Sequence, residues 1–348
     1  MNGLDLFLSW RHRLVYVTLT LALAAAPFVL PRFWLGELGY VYILAIAAVG
    51  LMLLSGYTGL VSLSHAAFVG IGAYANAYLL KLGLPFALTL PAAAAIAGIA
   101  GIALGLPMLR LSGLYLAIGT YAFGLIVEQV FIHWEVVTNG FRGLQVPRPM
   151  MLGVDFGDGL PFYFLCLAIL VLAMMGGVNL LRSPTGRAFV AIRDSAVAAQ
   201  ALGVHIAYHK TIAFGLSAVF GGLAGALLSH KLGYLSPDVF GTQYSIQLLV
   251  LIVVGGLGSM AGVIYGAIFV AAVPQILAFA RDVLPPQVAQ LPGLEAGLFG
   301  LILVLCILYE PHGIQGRWSK VRARLRSPGI PVPGTVQRKA YAKSERLV

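Results

Sequence analysis

Ten long apolar stretches follow one another along the chain, and they restrict its fold more than any other feature of the sequence. A helix needs about 20 mainly apolar residues to cross the hydrocarbon core of a bilayer. The candidate stretches are 14–31, 38–54, 60–80, 86–108, 112–132, 160–181, 211–230, 243–257, 261–280 and 294–310. They predict an all-α fold, a polytopic transmembrane helical bundle of about ten spans.

The composition indicates that lipid surrounds most of the chain. Of the 348 residues, 60% are hydrophobic and only 10% are charged. Soluble domains carry about 25% charged residues, so this chain has too little polar surface to cover its apolar volume in water. An ordinary soluble protein is therefore excluded.

Two of the stretches are expected to be irregular. The stretch 60–80 is interrupted by polar residues, and 243–257 is short and runs into GGLGSMAG at 255–262. Each is expected to be a broken or re-entrant helix, which a membrane tolerates where neighbouring protein shields the backbone. The glycine-rich windows 50–75 and 250–270 are also alike, which suggests a two-fold internal repeat of the kind that marks a transport pathway.

The distribution of Lys and Arg predicts the orientation of the spans. Arg11 and Arg13 precede the first stretch, which lacks a clear cleavage site and is expected to stay as a helix with a cytoplasmic amino terminus. Counting ten spans places the basic loop 182–210 and the basic carboxyl-terminal segment on the cytoplasmic side. The segments predicted outside are 133–159, 231–242 and 281–293. The charge distribution therefore predicts a multi-pass protein of the inner or plasma membrane with both termini in the cytoplasm.

The chain divides into a transmembrane domain, residues 1–310, and a basic tail, residues 311–348. The tail holds nine Lys and Arg residues against Glu345. Such a segment can bind RNA, but after a membrane span it is more simply a cytoplasmic segment facing anionic lipid. Membrane lipid, and no nucleic acid, is therefore the expected partner, and the Pro, Gly and basic residues of the tail predict disorder.

The sequence lacks the common motifs of hydrolytic enzymes. The phosphate loop G-x-x-x-x-G-K-[ST] is missing, since the glycine clusters at 221–225 and 255–262 have no such lysine. H-E-x-x-H and G-x-S-x-G are missing too, and Cys166 and Cys306 have no metal-type spacing. We expect no catalytic residue, no metal site and no cofactor.

The most informative segment is the loop sequence SPTGRAFVAIRDSAVAAQALGV at 183–204. A Ser-Pro-Thr-Gly turn precedes an alanine-rich run of high helix propensity, which predicts a short helix at the membrane surface. Apolar residues at spacings of three and four predict one buried face. That face is formed by Ala188, Ile192, Ala196 and Ala199. Arg187, Arg193 and Asp194 then point outward; the alternative is a simple interfacial linker.

This loop resembles the coupling segment of the branched-chain amino acid ABC-transporter permease family, and VAAQALG at 197–203 resembles the EAA loop of importer permeases. Three further blocks are similar to the same family. They are GYTGLVSLSHAAFVGIGAY at 56–74, RLSGLYLAIGTYAFG at 110–124 and SPDVFGTQYSIQLLVLIVVGGLGSMAGVIYGA at 236–267. Four blocks in one order cover most of 40–310. The family also includes permeases that resemble urea and amide importers.

The resemblance implies a permease subunit of an importer driven by ATP-binding-cassette (ABC) proteins, in which this chain is not the enzyme. It would pair with a second related permease, dock two cytoplasmic ABC ATPases and receive solute from an extracytoplasmic solute-binding protein. Small polar solutes, by default branched-chain amino acids, would move by alternating access. We call residues 182–210 the coupling loop. Its candidate ATPase contacts are Gly186, Arg187, Arg193, Asp194, Ala198, Ala199 and Gly203.

Polar side chains within the spans are candidates for the translocation path, because a charge near the bilayer centre costs about 2.5–3.5 kcal/mol and must face protein or water. The candidates are Ser62, Ser64, His65, Asn76, Glu128 and Gln247. Structural alternatives exist for most of them. The serines can cap a helix, Glu128 can snorkel to water at the outer end of its span, and Gln247 can lie at the interface.

Two other functions are compatible with a helical membrane bundle. A secondary transporter would need an intramembrane ion or proton site made from unwound backbone and acidic groups, and Glu128 alone is thin support for one. A membrane-embedded enzyme would need a nucleophile, an acid and a base that converge, whereas the histidines are scattered. Dependence on an ATPase distinguishes the importer from both.

Overall fold

The computed structural model describes residues 18, 20–151, 154–156, 159–283, 297, 300, 304 and 313–317. The first predicted span, 14–31, is described in its second half, which ends in a 3-10 helix, Ala26–Phe28. The last predicted span, 294–310, lies almost wholly outside the described residues. So does the predicted disordered tail, apart from a helical segment at 313–317.

The described part is built almost entirely from helices. In chain order they are α1 (Arg32–Leu51), α2 (His65–Lys81), α3 (Phe86–Met108), α4 (Gly113–His133), α5 (Glu135–Thr138), α6 (Gly159–Arg182), α7 (Pro184–Asp194), α8 (Ala196–Ala201), α9 (Ile206–Leu232), α10 (Thr242–Gly255) and α11 (Met260–Val283). The π-helix Met52–Tyr57 extends α1, and 3-10 turns lie at Gly140–Arg142 and Pro237–Phe240. Short strands β1 (Leu144–Gln145) and β4 (Tyr234–Leu235) pair with each other, as do β2 (Met150–Met151) and β3 (Val154–Asp155).

Within the described residues, six helical segments are long and apolar enough to cross a membrane. They are Arg32–Tyr57, Phe86–Met108, Gly113–His133, Gly159–Arg182, Ile206–Leu232 and Pro237–Gly255. The apolar part of α11, Met260–Ile276, is shorter. The prediction of an all-α, polytopic membrane bundle is confirmed, while the count of ten spans stays a prediction.

Both stretches that were expected to be irregular contain helix breaks. Residues 58–64 have no regular helix, so the predicted span 60–80 begins as a helix only at His65. We call residues 56–64, which include the last two residues of the π-helix, the first break. The second break, residues 256–259, separates α10 from α11. Gly59, Gly256 and Gly258 have φ of 75°, 116° and 79°, a conformation that glycine adopts without steric cost.

Helix α9 packs closely against α2 and α3 because glycines line the contacts. A Cβ added at Gly225 would lie 1.8 Å from the carbonyl oxygen of Val69, and one at Gly222 would lie 2.5 Å from the Cβ of Ala97. Lipid chains are as apolar as leucine, so membrane helices associate through such close packing of small residues. The glycines inside the apolar runs therefore serve helix contacts.

The described loops gather at the two ends of α9, whose 27 residues extend about 40 Å. At its carboxyl end, β4 pairs with β1 from the segment after α4. At its amino end, α7 lies beside the two breaks, and α8 follows α7. The span count and the assignment of either end to the cytoplasm stay predictions.

Candidate functional site

The coupling loop folds into two short helices and not into one surface helix. The Oγ of Ser183 accepts a hydrogen bond from the N–H of Gly186 (3.3 Å), and the Oγ of Ser195 accepts one from the N–H of Ala198 (3.2 Å). A serine therefore caps α7 and another caps α8. The extended backbone of Ser195 (φ −164°, ψ 109°) ends the first helix and lets the second begin in a new direction.

One face of the coupling loop is fixed to the bundle. Phe189 is fully buried, and Ala188, Ile192 and Ala199 are buried around it. Ala196, which was predicted on the same face, is exposed. That prediction is wrong because the break before α8 resets the helical periodicity. Phe189 was missed, although its size makes it the main apolar anchor of the loop.

The exposed side of α8 and its C-cap residue present apolar surface. Val197 is 81% exposed and Leu202 is 83% exposed, and Ala198 between them is exposed as well. Exposed apolar clusters rimmed by polar residues mark interaction sites. Sequence reasoning missed Val197 and Leu202, although two large apolar side chains in a short alanine-rich loop were a usable signal.

The remaining candidates of the coupling loop shape its backbone or stay on its surface. Gly186 lies against the end of α6, where an added Cβ would approach the carbonyl oxygen of Leu180 to 2.4 Å. Gly203 follows α8 with a φ of 82°, and an added Cβ there would meet no atom within 4 Å. The exposed Arg187 donates from Nη1 to the carbonyl oxygen of Arg182 (3.0 Å) and so stays within its own loop.

Arg193 is different, because it connects the coupling loop to both breaks. Its Nη1 donates a hydrogen bond to the carbonyl oxygen of Gly56 (3.1 Å), while Nη2 pairs with Oδ1 of Asp194 (3.2 Å). A Cβ added at Gly59 would lie 3.0 Å from its Cγ, and one added at Gly258 would lie 3.1 Å from its Nη1. One side chain thus bonds to the end of the π-helix that extends α1 and lies beside the turn before α11.

His65, the first residue of α2, is fully buried and has partners at both ring nitrogens. Nε2 lies 2.9 Å from the carbonyl oxygen of Ala47, and Nδ1 lies 3.3 Å from the Oγ of Ser217. A carbonyl can only accept, so Nε2 carries the proton and donates it. In the neutral ring, Nδ1 then accepts from the hydroxyl of Ser217. The ring joins α1, α2 and α9.

The serines of the first break are buried with His65. Their Oγ atoms lie 3.3 Å apart, and neither Ser62 nor Ser64 is exposed. Ser64 precedes α2, but its side chain makes no capping hydrogen bond, so the capping alternative is wrong for it. The N–H of Ala66 donates instead to the Oγ of Ser245 (3.0 Å), which fastens the start of α2 to α10.

Asn76 lies about three turns further along α2 and links it to the carboxyl-terminal part of α9. Its Nδ2 donates to the Oγ of Ser229 (3.1 Å) and lies 2.9 Å from Nε2 of His230. The side chain is fully buried, and Oδ1 has no hydrogen-bond partner among the described residues.

Glu128 and Gln247 are only partly buried. Both carboxylate oxygens of Glu128 lie 3.5 Å from the Cβ position of Gly241, which is the N-cap of α10. A carboxylate is favoured at this positive end of a helix, so the start of α10 stabilises the charge of Glu128. The six predicted path residues are therefore not one cluster: Ser62, Ser64 and His65 are together, and the others lie apart.

These features define a polytopic helical membrane protein with two broken helices and an anchored loop beside them. The model of the family described as "Branched-chain amino acid transport system / permease component" matches residues 34–307. The chain belongs to this family. It is a transport permease of the multi-pass membrane type, and not itself an enzyme.

Similar proteins of known type support this assignment. The chain is 32% identical over 329 residues to the high-affinity branched-chain amino acid transport system permease protein LivM of Escherichia coli K12, covering 87% of this chain and 75% of that protein. LivM of Salmonella typhimurium LT2 matches with the same identity and coverage. The autoinducer 2 import system permease protein LsrC of Enterobacter sp. 638 is 28% identical over 273 residues, 76% of this chain and 69% of that protein. No solved structure matches the chain.

Proposed function

We propose that this chain is the permease subunit of an ABC importer in the inner membrane and moves branched-chain amino acids by alternating access. It works with a second related permease, two cytoplasmic ABC ATPases and an extracytoplasmic solute-binding protein. The likeness to LivM supports this class of solute, whereas the weaker likeness to LsrC supports the importer class more than a particular solute.

The observation that carries the proposal is the two-sided construction of the coupling loop. Phe189 and Ala199 are buried against the bundle, while Val197 and Leu202 are exposed. A ligand shifts a conformational equilibrium only by its different affinities for the two states, so a motor must hold a part that moves with the permease. An anchored loop with an apolar outer face meets that requirement.

The first break is the proposed part of the translocation path. Ser62, Ser64 and His65 are buried and bonded to protein, as a closed path would require. Opening requires His65 and Ala66, the first residues of α2, to separate from Ser217 and Ser245. The polar side chains of the first break would then meet solute or water. In this proposal Asn76, Glu128 and Gln247 take part further along the pathway.

The proposed orientation follows from the loop that binds the motor. The coupling loop and both termini lie in the cytoplasm, residues 1–310 form the permease domain, and the basic tail 311–348 faces anionic lipid. The segment around β1 and β4 lies outside, where a binding protein docks.

Affinity purification of the tagged full chain from its own membrane, followed by mass spectrometry, tests the proposal. We expect a second permease and phosphate-loop ATPases in the parent complex. The double variant Val197→Glu/Leu202→Glu should lose the ATPases and keep the second permease, because it changes only the exposed face. A chain that purifies alone and transports in vesicles without ATP would instead be a secondary transporter.

Uptake into vesicles tests the solute. We expect saturable, ATP-dependent uptake of radiolabelled leucine. Valine and isoleucine should inhibit this uptake by competition, and urea should not. Competition by urea or acetamide with no effect of valine would assign the chain to the urea and amide importers of the same family.

A further inference from the structure

Arg193 lies where the two breaks touch each other. A Cβ added at Gly56 would lie 3.0 Å from the backbone nitrogen of Gly258, and that N–H lies 3.3 Å from Sδ of Met52. The Nη1 of Arg193 donates to the carbonyl oxygen of Gly56, and a Cβ added at Gly258 would lie 3.1 Å from the same nitrogen. Among the hydrogen bonds of the described residues, only that of Arg193 joins the coupling loop to a break. Its guanidinium lies where the two breaks meet.

The guanidinium satisfies a carbonyl that the break leaves without a helical partner. The last carbonyls of a helix have no intrahelical N–H, and Gly56 is in the last turn before residues 58–64. Arg193 reaches this carbonyl while Asp194, which is 66% exposed, holds another nitrogen of the same planar group. Two simultaneous partners fix the orientation of the guanidinium in a way that a point charge does not.

The aliphatic stem of Arg193 closes the contact from the other side. It covers Gly59, and a Cβ at that glycine would lie 3.4 Å from the Cα of Arg193. Since Phe189 and Ile192 anchor the same helix, α7 cannot shift as a unit without moving the breaks or losing the hydrogen bond to Gly56. Gly59 and Gly258 have the backbone freedom to follow such a shift.

We propose that Arg193 is a positioning residue that transmits movement of the coupling loop to both breaks at once, a role that rests on the proposed ABC-importer function. The side chain acts through Gly56, Gly59 and Gly258 and touches no solute. Both broken helices then change together when the ATPases bind ATP.

Two single-cysteine reporters measure this link, in a chain whose Cys166 and Cys306 are replaced by alanine. Val61→Cys reports on the first break and Leu257→Cys on the second, since these side chains are 44% and 57% exposed. The complex with its ATPases is purified and placed in nanodiscs. The rate of labelling by a membrane-impermeant maleimide is compared without nucleotide and after trapping with ATP and vanadate.

In the parent, we expect the labelling rate of each reporter to change on trapping. For each reporter, Arg193→Gln should bring the ratio of the trapped rate to the nucleotide-free rate close to one. Arg193→Lys should give an intermediate ratio, because an ammonium cannot bind Gly56 and Asp194 in one plane. The matched control Arg110→Gln removes an exposed arginine that is predicted on the same side and should keep the parent ratio.

The outcomes separate this inference from the proposed function. If Arg193→Gln keeps the labelling ratio of the parent, the proposed role of Arg193 is wrong while the importer assignment stands. Where the glutamine variant does not assemble, the same holds for Arg193→Lys. A parent whose labelling rates do not change on trapping also overturns the link, because the breaks then do not follow the motor. A parent complex without ATPases overturns the proposed function and this inference with it.

Discussion

The Nε2 of His65 donates a hydrogen bond to the carbonyl oxygen of Ala47, across 2.9 Å and between two helices that a break separates in the chain. Ser217 holds the opposite ring nitrogen at 3.3 Å. The imidazole therefore fastens the start of α2 at a fixed depth between α1 and α9. Hydrogen bonds between membrane helices are worth about 0.6 kcal/mol on average, and the packed ring adds to them.

Replacement of His65 by alanine should lower the stability of the bundle. It removes both hydrogen bonds and leaves a cavity, so we expect a loss of about 1–3 kcal/mol. The measurement is the midpoint of thermal unfolding of the detergent-solubilised chain. His133→Ala is the control, because His133 is exposed and its hydrogen bond stays within its own helix, to the carbonyl of Gln129. Equal midpoints for the two variants would contradict this role.

Replacement of Gly225 by alanine should force α2 and α9 apart. The added methyl group would lie 1.8 Å from the carbonyl oxygen of Val69, and overpacking costs about 1–3 kcal/mol or more. Gly39→Ala is the matched control, since its Cβ would meet no atom within 4 Å and helix propensity favours alanine by about 0.5–1 kcal/mol. Thermal unfolding should show opposite shifts for the two, and a Gly225→Ala protein as stable as Gly39→Ala would refute the close contact.

A charge on either face of α8 should reduce retention of the ATPases, but for different reasons. Ala199 is buried, so Ala199→Glu should detach α8 from the bundle and expose the coupling loop to limited proteolysis. Ala198 is exposed, so Ala198→Glu should keep the parent proteolysis pattern and weaken only the docking. Pull-down yields and protease digests of the two variants give the comparison. Equal protease sensitivity would show that the assigned faces are wrong.

The cap of α8 should be measurable by hydrogen exchange. Ser195→Ala removes the acceptor for the N–H of Ala198, at a cost of about 0.5–2 kcal/mol. Faster amide exchange is expected across residues 196–201, and Ser195→Asp should restore the parent rate because a carboxylate can cap. An unchanged rate in Ser195→Ala would mean that tertiary packing alone holds α8.

Cysteine labelling can assign the two ends of the bundle to the sides of the membrane. Met150 is 68% exposed and Ala196 is exposed, and they belong to the loops at opposite ends of α9. In right-side-out vesicles, an impermeant maleimide should label Met150→Cys and spare Ala196→Cys. Inverted vesicles should show the reverse, and matching sidedness would invalidate the span count.

The helices and the positions of the breaks follow from composition and from runs of apolar residues, because lipid leaves few alternatives to a helix. The polar interruption at Ser62–His65 and the glycines at 255–262 were sufficient to expect irregular backbone there. Apolar periodicity also identified Ala188, Ile192 and Ala199 as buried. It failed at Ala196, because a capping serine restarted the helix one residue earlier.

The contacts of Arg193 and His65 were beyond sequence reasoning. Arg193 was expected to point outward, and instead one of its nitrogens reaches back to Gly56, 137 residues away in the chain. The partner of His65 at Ala47 is a backbone carbonyl, and no residue type in the sequence marks it. Long-range contacts with backbone atoms leave no pattern in a single sequence, so the direction of these side chains required the fold.

The serine cap at Ser183 and the guanidinium at Arg193 fix the number of residues between them. Each residue turns an α-helix by about 100°. A single insertion or deletion between these two positions would therefore swing the guanidinium off the junction of Gly56 and Gly258, however well the helix itself still formed. Among the described residues of the coupling loop after Ser195, no side chain donates a hydrogen bond to either break. A change of length inside α7 should thus uncouple the loop from both breaks even where the helix survives, a constraint that substitutions alone would not reveal.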